Sequence, residues 1–420
     1  MKRFDVLVVG AGPAGLAAAH AAMEQGALVG VVDDNPHAGG QIWRGDPEQQ
    51  SDPRARQLWA ALSSSRRMVF LPQTRVLYAL QPGHLLVQTP SASATLHYNK
   101  LVLATGARER LLPFPGWTLP GVTGAGGLQA LSKGGYPLQG KRVVVAGSGP
   151  LLLAVATTLR GKGAHIVAIV EQASTPALLR FGAGLLATPS KITQALQLGA
   201  QLRGVPYLRN SYVLSAQGDG TLQSVQIQRS GVPEVETLQC DYLACGYGLL
   251  PNVELAQALG CATAAENGQA VVRVDELQLT SVAGIYCAGE GTGVGGVDLA
   301  LAEGRIAGLA ASGHEVLARE SIAQRTYWKK FAARLARAFA LRPELRTLAG
   351  DDTIVCRCED VCHGDLRTHT GWRSAKLQTR CGMGPCQGRI CGGATEVLYG
   401  WRPDAVRLPV SPARISSIID

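Results

Sequence analysis

"FDVLVVGAGPAGLAAAHAAMEQGALVGVVDD", residues 4–34, runs from an apolar strand through a glycine turn into an alanine-rich helix, then into a second strand that ends in acid. That order predicts a βαβ unit. Gly10 permits the tight turn, Gly12 lets backbone approach a pyrophosphate, and Gly15 lets the helix pack on the strand. Pro13 and Ala14 open the helix, whose N-terminal dipole faces the phosphates. Asp33 lies 23 residues after Gly10, where a carboxylate accepts hydrogen bonds from an adenosine ribose. Triplet, strand, helix and acid together point to a dinucleotide site.

"KRVVVAGSGPLLLAVATTLRGKGAHIVAIVEQ", residues 141–172, repeats the plan with Gly147, Gly149 and Glu171. Leu152 stands where the third glycine belongs and adds bulk where helix and strand approach most closely, which weakens the case for NAD at this unit. Two further segments, "KLVLATGARERLLPFPG" (100–116) and "CDYLACGYGLLPN" (240–252), each end a buried strand in a glycine turn. They read as crossings between nucleotide domains, with Thr105 and Gly106 in the first. "GIYCAGEGTGVGGVDLALAEGRIAG" (284–308) is a strand, then Gly289 and Glu290, a glycine loop and a helix. Gly39, Gly40 and Gln41 form a turn placed to skirt a cofactor held at the first unit, and His37 and Trp43 beside it read as loop and packing residues. The chain contains no CxxC of the kind disulfide-reductase chemistry uses, so electrons are expected to leave a cofactor bound here some other way.

Composition agrees with an enzyme of two or three domains. The 420 residues are 46% hydrophobic and 17% charged and include 51 glycines, as an α/β protein rich in tight turns requires. The net charge of +9 has no nucleic-acid motif to accompany it, so nucleic acid is not an expected partner. The start mimics a signal peptide, but Asp5 and the glycines at 10, 12 and 15 break its apolar run, and no stretch of 18 apolar residues follows. A cytoplasmic protein is expected, with its ten cysteines as reduced thiols or metal ligands.

Six of those cysteines lie between residues 356 and 391. Cys356 and Cys358 form CxC, while Cys386 and Cys391 form Cx4C among the glycines at 382, 384, 388, 392 and 393. Four thiolates close one iron–sulfur or zinc site, and small residues bring backbone amides close to it. Cys381 and Cys386 are also spaced Cx4C, and Cys362 is a sixth thiol, so by spacing alone any four of the six serve.

These motifs carry two resemblances. Gly289 and Glu290 with the following helix resemble the second flavin signature of glutathione-reductase-type flavoproteins, in which an acid holds the ribityl chain; that pattern usually carries Asp. "VCRCEDV" with "GMGPCQGRIC" resembles the [2Fe–2S] domain related to bacterioferritin-associated ferredoxin. Carried over, the resemblance makes Cys356, Cys358, Cys386 and Cys391 the ligands and Cys381 a neighbour. As a whole the chain resembles the flavin and iron–sulfur (alpha, larger) subunit of opine oxidases, D-hydroxyproline dehydrogenases and hydrogen cyanide synthase. "GSGPLLLA", "CDYLACGYGLLPN" and "CGMGPCQGRIC" carry that match, and the tail "RLPVSPARISSIID" departs from the proline-rich one expected.

The resemblance implies an α/β fold: two Rossmann-like dinucleotide-binding domains of the glutathione-reductase type plus a small C-terminal [2Fe–2S] domain. It implies FAD bound by Gly10, Gly12, Pro13, Ala14, Gly15, Asp33, Gly40, Gln41, Thr105, Gly106, Gly289 and Glu290. FMN held at a subunit interface is implied for some relatives. The expected partners are a small ferredoxin-like subunit and a separate amine-oxidising flavoprotein subunit, with electrons relayed onward to a quinone or other acceptor; the alternative reading is a self-sufficient NADH-dependent reductase using both nucleotide domains. No catalytic base stands out; His20, His97 and His165 read as packing residues. Expected boundaries are 1–135 with 256–318 for FAD, 136–255 for the second nucleotide domain, 319–350 for a linker, 351–402 for the cluster domain and 403–420 for the tail. The linker stretch 319–346 carries eight basic residues against two acidic, and helical spacing puts Ile322, Trp328, Phe331, Leu335 and Phe339 near one face. That face packs on the body, docks a partner, or makes peripheral contact with the inner face of a membrane.

Overall fold

The computed structural model describes residues 2–45, 52–403 and 405–419. It divides into two compact units: Met1–Arg108, Leu250–Ala333 and Ala405–Asp420 form the first, Glu109–Leu249 and Arg334–Asp404 the second.

The first unit is built on strand Lys2–Val9, which pairs in parallel with Val29–Val32 on one side and Ser93–Leu103 on the other. Met68–Leu71 extends the sheet beyond Val29–Val32, and Ile285–Cys287 joins Ser93–Leu103 in register with Leu101 to Leu103. Its central strands are buried, as near-continuous apolar runs in a parallel sheet require. Helix Pro13–Glu24 packs against helix Val297–Ala311 at very close range. A Cβ on Gly304 or Gly308 would lie 2.2 or 2.1 Å from the carbonyl oxygens of Ala14 and Ala18, so only glycine admits this approach. The small residues that make the first helix alanine-rich are the residues the second helix needs.

The second unit repeats the arrangement. Arg142–Gly147 lies between His165–Glu171 and Tyr242–Gly246, all parallel, with Tyr207–Arg209 and Val122–Gly124 at the edges. Here the structure differs from the expected boundaries. Strand Val122–Gly124 pairs with Leu243 to Cys245, and helix Ala125–Lys133 follows it, so residues 109–135 belong to the second unit. The cysteine-rich stretch has its own apolar core around Val355, Leu366, Trp372 and Ala394, yet clusters with the second unit. Trp117 joins them: its Nε1 donates to the Ile354 carbonyl at 2.6 Å, and the Arg357 guanidinium lies over its ring, 5.4 Å from the centroid. The tail returns to the first unit: Val410 is buried there and its N–H donates to the Leu77 carbonyl at 2.8 Å.

Helix Ile322–Ala338 begins in the first unit and ends in the second. Trp328 and Phe331 are buried and Ile322 packs on the first unit's core, so the apolar face is used within the chain. Among the described residues no helix is long and apolar enough to cross a membrane. Trp43 is a core residue, whereas His165 is exposed at the start of its strand.

Candidate functional site

In the first unit the three glycines meet the demands read from their spacing. Gly10 has φ +107°, and a Cβ there would fall 2.2 Å from the Ala104 oxygen; one on Gly15 would fall 1.8 Å from the Gly10 oxygen. Gly12 has open space except for the Gly40 Cα at 3.9 Å. The turn at 39–41 lies beside it, since Gly39 N–H donates to the Ala11 carbonyl at 2.7 Å. Gly40 has φ +61° and would place a Cβ 2.9 Å from the Gly12 Cα, while Gln41 is exposed. Pro13, Ala14 and Gly15 are the first three residues of the helix.

Asp33 is buried and largely engaged by the chain. Its Oδ2 accepts Ala11 N–H at 2.6 Å, and its Oδ1 accepts Asn35 N–H and Asn35 Nδ2, both at 2.8 Å. A carboxylate has about four lone-pair sites, so roughly one remains for a ribose hydroxyl. Thr105 Oγ1 donates to the Asn252 carbonyl at 2.7 Å, and Asn252 Nδ2 returns a bond to the Thr105 carbonyl at 2.9 Å. The Gly106 carbonyl accepts Asn252 N–H at 3.0 Å, so the two crossings are stitched to each other.

Gly289 adopts φ +77° with Ala14 Cβ only 2.7 Å from where its own Cβ would be. The next residue, Glu290, accepts Gly296 N–H through Oε1 at 3.1 Å, whereas its buried Oε2 has no hydrogen-bond partner among the described residues. Burial pushes the Glu290 carboxyl up to about 7. The longer side chain therefore still presents an acceptor oxygen. Glu303, which no sequence motif announced, is fully buried behind this turn and accepts Gly289 N–H at 3.0 Å and the Thr292 hydroxyl at 2.7 Å. An acid on the apolar face of Val297–Ala311, between Ala302 and Ile306, was the available signal. Glu109 went equally unannounced: its carboxylate accepts Gly126 and Gly127 N–H at 2.7 and 3.0 Å, closing the start of helix Ala125–Lys133.

The cysteine stretch places Cys356 at the end of strand Ile354–Cys356 and Cys391 at the first position of helix Cys391–Tyr399. The sulfurs of Cys356, Cys381 and Cys391 all lie within 4.8 Å of one another, and all three residues are buried. Cys358 and Cys386 form a second sulfur pair 3.7 Å apart. Cys381, set aside as a neighbour by the resemblance, thus stands in the buried group. Cys362 lies elsewhere, its thiol directed at the Asp352 carbonyl. Hydrogen bonds from Cys381 and then Cys391 pull the Cys356 thiol down to about 2, while the Cys391 thiol is pushed up by its bond to Cys356. Glycine makes the group possible: a Cβ on Gly384 would lie 2.2 Å from Cys358 Cβ. Cys240, Cys245, Cys261 and Cys287 are buried singly, and burial raises each thiol.

A family model for the pyridine nucleotide-disulphide oxidoreductases matches residues 4–329. The A subunit of opine oxidase from Rhizobium meliloti (strain 1021) is 33% identical over all of this chain and 99% of its own length. The chain belongs to the family of HcnB and the opine oxidase A subunit. Hydrogen cyanide synthase subunit HcnB of Pseudomonas aeruginosa is 31% identical over 98% of this chain and 97% of that protein. Among solved structures, L-proline dehydrogenase from P. horikoshii is 19% identical with a TM-score of 0.71, covering 100% of this chain and 80% of that one, a likeness of fold. Members of the HcnB and opine oxidase family are named as subunits, which points to one chain of a multi-subunit oxidoreductase. Membership also supports FAD as its cofactor.

Proposed function

We propose that this chain is the flavin and iron–sulfur subunit of a heteromeric dehydrogenase that acts on the CH–NH group of an opine, D-hydroxyproline or a related amino acid. The observation that carries this reading is the arrangement of sulfurs in a flavoprotein fold without CxxC. A [2Fe–2S] core needs two thiolates on each iron. Cys358 with Cys386 offers one such pair and Cys356 with Cys391 or Cys381 the other, of which the resemblance selects Cys391. Bound FAD supplies two-electron chemistry and a cluster of this type supplies one-electron transfer.

The chain's own residues do the holding. Gly10, Gly12, Pro13, Ala14 and Gly15 make the phosphate-binding turn, Asp33 braces it, and Gly40 and Gln41 lie along it. Thr105 and Gly106 set the crossing beside it. Gly289 and Glu290 meet the ribityl chain, for which the unpartnered Glu290 Oε2 is a fitting acceptor. Amine oxidation belongs to a partner flavoprotein chain, while a small ferredoxin-like subunit completes the complex and FMN sits at an interface. Electrons pass on to a quinone or other acceptor from the cytoplasmic side.

Tagged purification without oxygen tests the reading. The protein should emerge yellow-brown, contain flavin and iron, and bring an amine-oxidising chain with it. Colourless protein, or zinc without iron, sinks it. The likeness to HcnB favours one second reading, a hydrogen cyanide synthase subunit, which cyanide release by the purified complex would establish.

A further inference from the structure

The name of the wider family implies a pyridine nucleotide, and the second unit is where its repeated fold would hold one. Its glycine turn is not free to do so. In the first unit Asp33 takes the N–H of Ala11, one residue past the first glycine; in the second, Glu171 takes the N–H of Gly149, two residues past it, at 2.7 Å. The helix correspondingly starts at Leu151, with Pro150 before it, rather than directly after the second glycine. A dinucleotide pyrophosphate is met by the amides of this turn. Gly149 has given its amide to a fully buried carboxyl group, whose other oxygen accepts Ala173 N–H at 2.8 Å.

The space over the turn is also filled. A Cβ built on Gly149 would meet Phe339 Cγ at 3.7 Å, an ordinary van der Waals distance, so the ring stands about one side-chain atom away from the glycine that must let a phosphate approach. The Phe339 ring is in turn met edge-on by Phe181, with centroids 5.1 Å apart. Hydrogen bonds hold the segment down. Ser148 Oγ, between the two glycines, donates to the Phe339 carbonyl at 3.0 Å. Gln172 Nε2 donates to the Ala340 carbonyl at 3.0 Å, and Gln172 Oε1 accepts Arg342 N–H at 3.0 Å. The Arg342 guanidinium lies 4.8 Å over the Tyr212 ring.

NAD(P)H therefore does not fit. We propose that residues 339–342 form an internal strap that fills the dinucleotide cleft of the second unit, converting a nucleotide site into an anchor for the cysteine stretch that follows in the chain. Each of these contacts lies within the second unit, and none depends on a flavin or a cluster. Reducing equivalents consequently enter this protein by a route other than nicotinamide.

The test is fluorescence titration of the full-length protein with NADH and NADPH, alongside Phe339→Gly and Gln172→Ala. The first variant empties the space over Gly149, and the second removes two anchoring bonds without touching the ring. The parent should show no saturation up to about 1 mM, the weak end of specific binding. Either variant that keeps the parent's circular dichroism should bind at least about 10-fold more tightly, a change of about 1.4 kcal/mol. Saturable micromolar binding by the parent overturns the strap. So does a pair of folded variants that remain as blind to both nucleotides as the parent.

Discussion

The Glu303 carboxylate accepts the Gly289 backbone N–H at 3.0 Å from a position with no solvent exposure. Burial raises this carboxyl, while the Thr292 hydroxyl and Lys329, 4.0 Å away, oppose the rise. Glu303→Ala leaves the buried Gly289 N–H without its acceptor, at a cost of about 1–3 kcal/mol, while the Thr292 hydroxyl keeps the Gly289 carbonyl at 2.9 Å. Urea unfolding and flavin release on gel filtration should both report the loss, and Glu303→Gln, which keeps one acceptor, should recover part of it. An alanine variant with parental stability and flavin content would mean that the turn holds itself.

The contact between the helices at Gly308 and Ala18 leaves no room for a methyl group. Gly308→Ala forces them apart and should lower stability by about 1–3 kcal/mol, as overpacking does. A thermal melt unchanged from the parent's would contradict this geometry.

Burial holds Glu290 at about 7 against a usual value of 4.5. Such a carboxyl binds its proton more tightly in the folded state, so its contribution to stability is full below pH 4.5 and is lost as pH rises through about 7. The swing is at most roughly 3 kcal/mol. Flavin-free protein should therefore lose stability between about pH 5 and about pH 8, and Glu290→Gln should flatten that loss. Parallel pH profiles for the two proteins would remove Glu290 as its source.

The proposed ligand set, taken from the resemblance and not from the sulfur distances, gives neighbouring cysteines different fates. Serine at Cys356, Cys358, Cys386 or Cys391 should abolish visible iron–sulfur absorbance and lower bound iron. Cys381→Ser and Cys362→Ser should retain both. Bleaching by Cys381→Ser with retention by Cys391→Ser would exchange those two in the ligand set.

Both βαβ units were legible because their constraints are local. A turn needing positive φ at Gly10, an unhindered Gly12 and a close approach at Gly15 is written in six consecutive residues, and the CxC of Cys356 and Cys358 is as compact. Leu152 was legible as a departure but not in its outcome. It is buried in one cluster with Val155, Ile169 and Ala244, a placement that residue type alone does not give.

Sequence by itself thus determined the two repeated units, the lack of a CxxC motif and the gathering of thiols near the carboxyl end. Tertiary structure decided which partners those groups found: Glu303 behind Gly289, Cys381 beside Cys356, residues 109–135 in the second sheet, and Phe339 over Gly149. The reason is distance along the chain. A backbone angle or a turn is set by adjacent residues, whereas burial and hydrogen bonding pair groups as remote as Ser148 and Phe339, 191 positions apart, and only the closed fold brings them together.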